Sequence, residues 1–171
     1  MTFTRFLKPD LMLQGSVVDI TPELLKQHQL KGLVLDVDET LVPLRERTVS
    51  PEVADWLEEV RPLVDIWLVS NNLSESRIGG IAESLRVPYL LGARKPSRKK
   101  LRQALEAMGH PVEQVAMVGD RLLTDALAGN RLGMFTILVE PMIDPAISQG
   151  YPIRNFEVWL TKILGFSLHD S

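Results

Sequence analysis

The sequence predicts an α/β fold, an open, five-stranded, mostly parallel sheet with helices on both faces. Three observations predict it. Short apolar runs recur at 33–37, 64–70, 88–91, 115–119 and 135–139. They lack the polar alternation of a half-exposed sheet, so they read as strands buried on both faces. The stretches between them carry helical periodicity and helix start signals, and strand–helix alternation builds βαβ units and hence a parallel sheet.

The elements follow in order. Near the N-terminus, Phe3, Phe6, Leu7, Leu11, Met12 and Leu13 are interleaved with Arg5 and Lys8. This segment either covers a sheet edge or lies on a membrane surface. Thr21 and Pro22 open a short helix through Gln29. Ser50 caps a second, with Pro51 at its first position and Val53, Trp56, Leu57 and Val60 on one face. A third starts near Ser74 and repeats the pattern with Ile78, Ile81, Ala82 and Leu85. A fourth starts near Ser97, uses Leu101, Ala104, Leu105 and Met108, and stops at Gly109. A fifth begins near Thr124, and a last one carries Phe156, Trp159, Leu160 and Ile163.

Size and composition bound the rest. The 171 residues predict one domain spanning 1–171. A net charge of −3 argues against a general nucleic-acid binder, so no nucleic-acid partner is expected. The absence of cysteine excludes disulfides, thiolate zinc sites and cysteine nucleophiles. No signal-peptide core opens the chain, and no apolar run approaches the ~20 residues that span a bilayer. A cytoplasmic location is the expectation.

In parallel sheets ligands bind beyond the carboxyl ends of the strands. Those ends carry Asp36, Asp38 and Thr40; then Ser70, Asn71 and Asn72; then Arg94, Lys95 and Pro96; then Gly119, Asp120 and Asp125. A lone carboxylate at a strand end is commonly a cap, but four converging ends of this composition indicate chemistry. Several carboxylates together need a hard cation, and Mg²⁺ takes oxygen ligands while leaving room for water and phosphate. One aspartate can then attack phosphorus, and a second acid two residues on can move the proton. Ser and Lys supply a hydrogen bond and a fixed charge for the phosphoryl oxygens. The pattern fits phosphoryl transfer.

These residues resemble the haloacid-dehalogenase (HAD) superfamily of phosphatases. Its DxDxT motif is similar to Asp36-Val37-Asp38-Glu39-Thr40, its strand-end Ser to Ser70, its Lys-Pro to Lys95-Pro96, and its GDxxxxD to the stretch from Gly119-Asp120 to Asp125. The resemblance implies a Rossmann-like core and an aspartyl-phosphate mechanism. Asp36 would be nucleophile and metal ligand. Asp38 would be general acid/base and bind Mg²⁺ through its carbonyl, with Thr40 orienting it. Ser70 and Lys95 would hold the phosphoryl group, with Asn71 nearby. Asp120 would be a metal ligand, and Asp125 a ligand through water or a support behind it. Asn72 reads as a turn or cap residue.

The family carries cap domains in one of two places, and neither has room here. Residues 41–49 suffice for a small flap, and the second place is filled by the Ser74 helix and the run at 88–91. The core is therefore expected to be capless and its site open. Over nearly the whole chain, FLKPDLMLQG, KGLVLDVDETLVP, SNN and GDRLLTDALAGNRLGMFTILVEP resemble the YqeG-like branch of subfamily IIIA, which includes phosphatidylglycerophosphatases. That implies a phosphate-ester substrate, an anionic phospholipid headgroup, and peripheral membrane contact. The run RKPSRKKLR holds six basic residues in nine and offers Arg94 and Arg98 to a phosphodiester, or is simply a solvated face. Phosphatases of soluble sugar phosphates or nucleic-acid 3′ ends are the alternative within the subfamily. A phospho-receiver or other binding module is the alternative outside it, but a receiver orders its acidic residues and Lys differently along the strands.

Overall fold

The fold is described by a computed structural model over residues 3–142. The expected last helix, with Phe156 and Trp159, lies outside the described residues. Among these residues six strands make one sheet: β1 (Leu11–Met12), β2 (Gly32–Leu35), β3 (Asp65–Val69), β4 (Tyr89–Leu90), β5 (Val115–Gly119) and β6 (Phe135–Leu138). Their order is β1-β6-β5-β2-β3-β4, and every pairing is parallel.

The sheet thus has one strand more than the five expected. The extra strand comes from the N-terminal segment, where Leu11 pairs with Ile137 and Met12 with Leu138. Two residues are too short to register as an apolar run. Leu7 and Met12 are buried while Phe3 is exposed, so most of the segment covers the sheet edge. Asn130 Nδ2 ties it down by donating to the carbonyls of Phe6 and Lys8 at 2.7 and 2.8 Å.

Among the described residues five α-helices flank the sheet: α1 (Pro22–Gln27), α2 (Pro51–Val60), α3 (Glu75–Leu85), α4 (Lys99–Met108) and α5 (Leu127–Leu132). Alternation along β2 divides the core. Leu33 and Leu35 face a cluster with Leu25, Trp56, Leu57 and Ile78, whereas Val34 faces Leu101, Ala104 and Ala128. Thr21, Ser50 and Ser74 cap α1, α2 and α3 by accepting from the backbone N–H three residues on. Two starts differ from expectation. Ser97 closes a turn onto the Arg94 carbonyl at 2.9 Å, so α4 begins at Lys99. Before α5 the chain makes a π-helical turn over Leu122–Ala126.

The order reverses direction between β2 and β5, which lie side by side at the centre. That switch point is where ligands enter such sheets. Neither cap position holds an inserted domain. After β2, residues 41–49 form a loop with buried Leu41 and Val42 and a bridge between Asp38 and Val42. Between β3 and β4 there is only α3.

Candidate active site

β2 delivers Asp36 to the switch point with its backbone still held, since Asp36 N donates to the Val118 carbonyl at 2.9 Å. The chain then winds tightly. The Val37 carbonyl accepts from the N–H groups of Thr40, Leu41 and Val42 at 3.2, 2.9 and 3.3 Å. Glu39 sits in the left-handed region at φ 64° and is buried. This winding turns Asp36 and Asp38 toward different neighbours.

Lys95 arrives from the β4 side. Ala93 N donates to the Ser70 carbonyl at 2.9 Å, and Lys95 N donates to Asn71 Oδ1 at 2.8 Å. The Lys95–Pro96 peptide is cis. The Lys95 ammonium has three protons and three partners: Asp36 Oδ1 at 2.7 Å, Asp125 Oδ1 at 2.7 Å and the Val69 carbonyl at 3.0 Å. Asp125 reaches this position from the π-helical turn, where its Oδ2 also accepts from Arg121 N at 3.3 Å. Single π turns are frequent at functional sites.

One oxygen each of Asp36, Asp120 and Asp125 lies within 4.8 Å of the others. Burial, then the nearby Asp125 charge, outweigh Lys95 and raise the Asp36 carboxyl to about 6. Burial and the Asp36 and Asp125 charges push Asp120 well above the carboxylate range. Burial works against the charge on Lys95, but Asp125 and Asp36 overcome it and raise its pKa. Three clustered carboxylates against one shared ammonium leave negative charge unbalanced. An all-oxygen set of this charge fits a hard divalent cation.

Ser70, Asn71, Asn72 and Thr40 fall around this centre. Ser70 is buried at the end of β3, and its Oγ accepts from Asn72 N at 3.0 Å. Asn71 holds the Lys95 backbone. Asn72 makes the turn into α3 by accepting from Ser74 N at 2.7 Å, and also donates to Asp38 Oδ2 at 3.4 Å. The Thr40 hydroxyl donates to Asp120 Oδ1 at 3.3 Å, whereas the resemblance pairs it with Asp38. Arg94 is exposed, with φ 51°. Arg98 lines an open groove of about 520 Å³ with Lys99, Arg102, Arg131 and Glu106.

Two residues escaped the motif reading. Glu39 is buried beside Asp120, whose carboxyl it helps to raise. Arg77 is buried on α3, with Nη1 2.6 Å from Asp38 Oδ1. Helical spacing could have found it, because Arg77 lies four residues before Ile81 on the core-facing stripe.

A parallel sheet whose switch point gathers a DxD loop, a strand-end serine, a buried lysine and a GDxxxxD turn is the core of a HAD hydrolase. A HAD-hydrolase-like family model matches residues 92–141. The chain is 38% identical over 151 residues to a protein of Bacillus subtilis (strain 168) called "Probable phosphatase YqeG", covering 88% of this chain and 85% of that one. The chain belongs to the YqeG-like HAD phosphatases and is a phosphatase. It is also 31% identical to "Phosphatidylglycerophosphate phosphatase 1, chloroplastic" of Chlamydomonas reinhardtii, over 85% of this chain and 58% of that protein. Its fold is similar to that of the cobalt-bound deoxy-D-mannose-octulosonate 8-phosphate phosphatase of Haemophilus influenzae. There the TM-score is 0.55 and the identity 14%, over 85% of this chain and 96% of that one. No helix among the described residues is long and apolar enough to cross a membrane.

Proposed function

We propose that this phosphatase works through an aspartyl-phosphate on Asp36, and that its substrate is phosphatidylglycerophosphate, which it converts to phosphatidylglycerol. The observation that carries the mechanism is the Lys95 ammonium held between Asp36 and Asp125. Lys95 occupies Asp36 Oδ1 and leaves Oδ2 to attack phosphorus. As the Asp36 O–P bond forms, the ester O–P bond breaks, and Asp38 gives its proton to the departing alkoxide. Asp38 then takes a proton from water as that water attacks the same phosphorus, freeing Asp36 and inorganic phosphate.

Ser70 would meet the phosphoryl oxygens, and the Lys95 charge, with its three protons engaged, would attract them. Thr40 steadies Asp120, and Asn71 steadies the Lys95 backbone. Asp36, Asp120 and the Asp38 carbonyl would hold Mg²⁺, with Asp125 behind them. The cation would neutralise charge on the transferring group.

The lipid half of the reading is supported by the phosphatidylglycerophosphate phosphatases among the relatives and by the lack, among the described residues, of a cap inserted after β2 or between β3 and β4. A headgroup anchored in a bilayer cannot be enclosed by a lid. We read the chain as one domain, 1–171, acting at the cytosolic membrane face, with basic residues from Arg94 to Arg102 toward anionic lipid. The test compares kcat/KM for phosphatidylglycerophosphate in mixed micelles with that for a sugar phosphate and a 3′-phosphorylated oligonucleotide. The lipid should be preferred. Rapid turnover of either soluble ester with none of the lipid would overturn the substrate assignment.

A further inference from the structure

Arg77 belongs to none of the four motifs, yet it touches the candidate acid/base. The residue is 7% exposed. Its Nη1 lies 2.6 Å from Asp38 Oδ1, and its Nε donates to the Glu46 carbonyl at 2.8 Å. Neither Nη nitrogen, nor Asp38 Oδ1, has a hydrogen-bond partner of good alignment among the described residues. Burying a guanidinium with donors unfilled is costly. The other buried residues of α3, Ile78, Ile81, Ala82 and Leu85, are apolar, and an apolar side chain at 77 would pack beside them without the cost of burying a charge. The charge therefore has a use beyond packing.

The geometry indicates that use. Asp38 Oδ1 faces Arg77, and Asp38 Oδ2 accepts from Asn72 Nδ2 at 3.4 Å. Both carboxylate oxygens are thus held by α3 and the turn that leads into it. Glu46 lies in the 41–49 loop, whose near end is bridged to Asp38 itself at Val42. Arg77 joins the carboxylate to the far part of the same loop.

We infer that Arg77 is a positioning residue. It sets the side-chain direction of Asp38 and, through the Glu46 carbonyl, ties that direction to the loop bordering the site. This rests on the reading of Asp38 as general acid/base. Arg77 does not meet phosphorus or its oxygens. Its loss should therefore impair only the steps in which Asp38 moves a proton.

Leaving groups separate that role from a structural one. kcat/KM reports events up to release of the leaving group. An alkyl phosphate releases a strongly basic alkoxide that needs the Asp38 proton, whereas p-nitrophenolate leaves without it. The experiment measures kcat/KM of Arg77→Met and Arg77→Lys on an alkyl phosphate and on p-nitrophenyl phosphate. It also measures inhibition by inorganic phosphate, with Asp38→Asn in parallel.

Arg77→Met should lower the alkyl value by about 10–100-fold, part of the 10²–10⁴-fold a positioned acid supplies, and the aryl value by less than about 3-fold. Phosphate inhibition should be unchanged. Arg77→Lys should recover part of the alkyl loss by restoring a charge beside Asp38. Equal losses on both esters, or no loss on the alkyl ester, would overturn the inference. If Arg77→Met does not fold, Arg77→Gln is judged by the same two ratios. Loss of alkyl turnover in Asp38→Asn with none in Arg77→Met removes the positioning role alone. Full alkyl turnover in Asp38→Asn removes the acid/base reading, and the inference with it.

Discussion

The carboxylate of Asp125 occupies the space where a Cβ on Gly119 would stand, in overlap with Oδ2 and Cγ. The motif needs glycine at 119 for room, not for backbone freedom. Gly119→Ala would push Asp125 off Lys95 or bend β5. We expect activity to fall at least ~100-fold, because a small displacement of positioning groups costs about that much. Stability should drop by about 1–3 kcal/mol from overpacking. Urea unfolding and a phosphatase assay check both, and wild-type behaviour in both would contradict the packing argument.

Asp36→Asn should abolish turnover without unfolding the protein. The amide cannot act as the nucleophile, and phosphate-monoester hydrolysis relies on accelerations that reach ~10²¹-fold. The metal-free variant should melt no lower than wild type near pH 7.5. Its ionised counterpart is buried against Asp125, a net cost that Lys95 does not remove. Near-normal activity in a purified sample would remove the aspartyl-phosphate.

Metal and pH are linked through the same carboxyl. Folding raises Asp36 from 3.8 to about 6, so between those values the folded chain binds more protons than the unfolded one. Stability contributed by such a group is present below the unfolded pKa and is lost as pH rises through the folded one. Asp120 acts in the same direction. In EDTA, Tm should therefore be several degrees lower at pH 7.5 than at pH 5, at about 2–4 °C per kcal/mol for a chain of this size. Mg²⁺ should raise Tm more at pH 7.5, because it binds ionised carboxylates and must displace protons at pH 5. Asp120→Ala should blunt that response. A Tm in chelator that climbs from pH 5 to 7.5 would refute the charge imbalance.

The headgroup diester is tested by Arg94→Ala combined with Arg98→Ala. A charge-assisted contact to phosphate is worth roughly 1.5–3 kcal/mol. Its loss should lower kcat/KM on phosphatidylglycerophosphate by about one to two decades. p-Nitrophenyl phosphate has no diester and should be nearly unaffected. Equal loss on both substrates would dissociate these arginines from the headgroup.

Much of this architecture is local and therefore legible along the chain. Apolar runs became β2 to β6; β2 and β5 are buried at every position, as a run of apolar residues dictates, whereas edge strand β4 is only half-buried. The caps at Thr21, Ser50 and Ser74 formed because each bonds an amide three residues away. Asp36, Ser70, Lys95, Asp120 and Asp125 converged because parallel strands all end at one edge. Tertiary structure alone decided the partners. Lys95 meets Asp36 across 59 residues and Asp125 across 30, and Thr40 meets Asp120 across 80. It also placed a two-residue N-terminal strand beside β6 and buried Arg77 against Asp38. Such contacts follow from strand order and the packing of α3 on the sheet, which bring together groups that no local pattern relates.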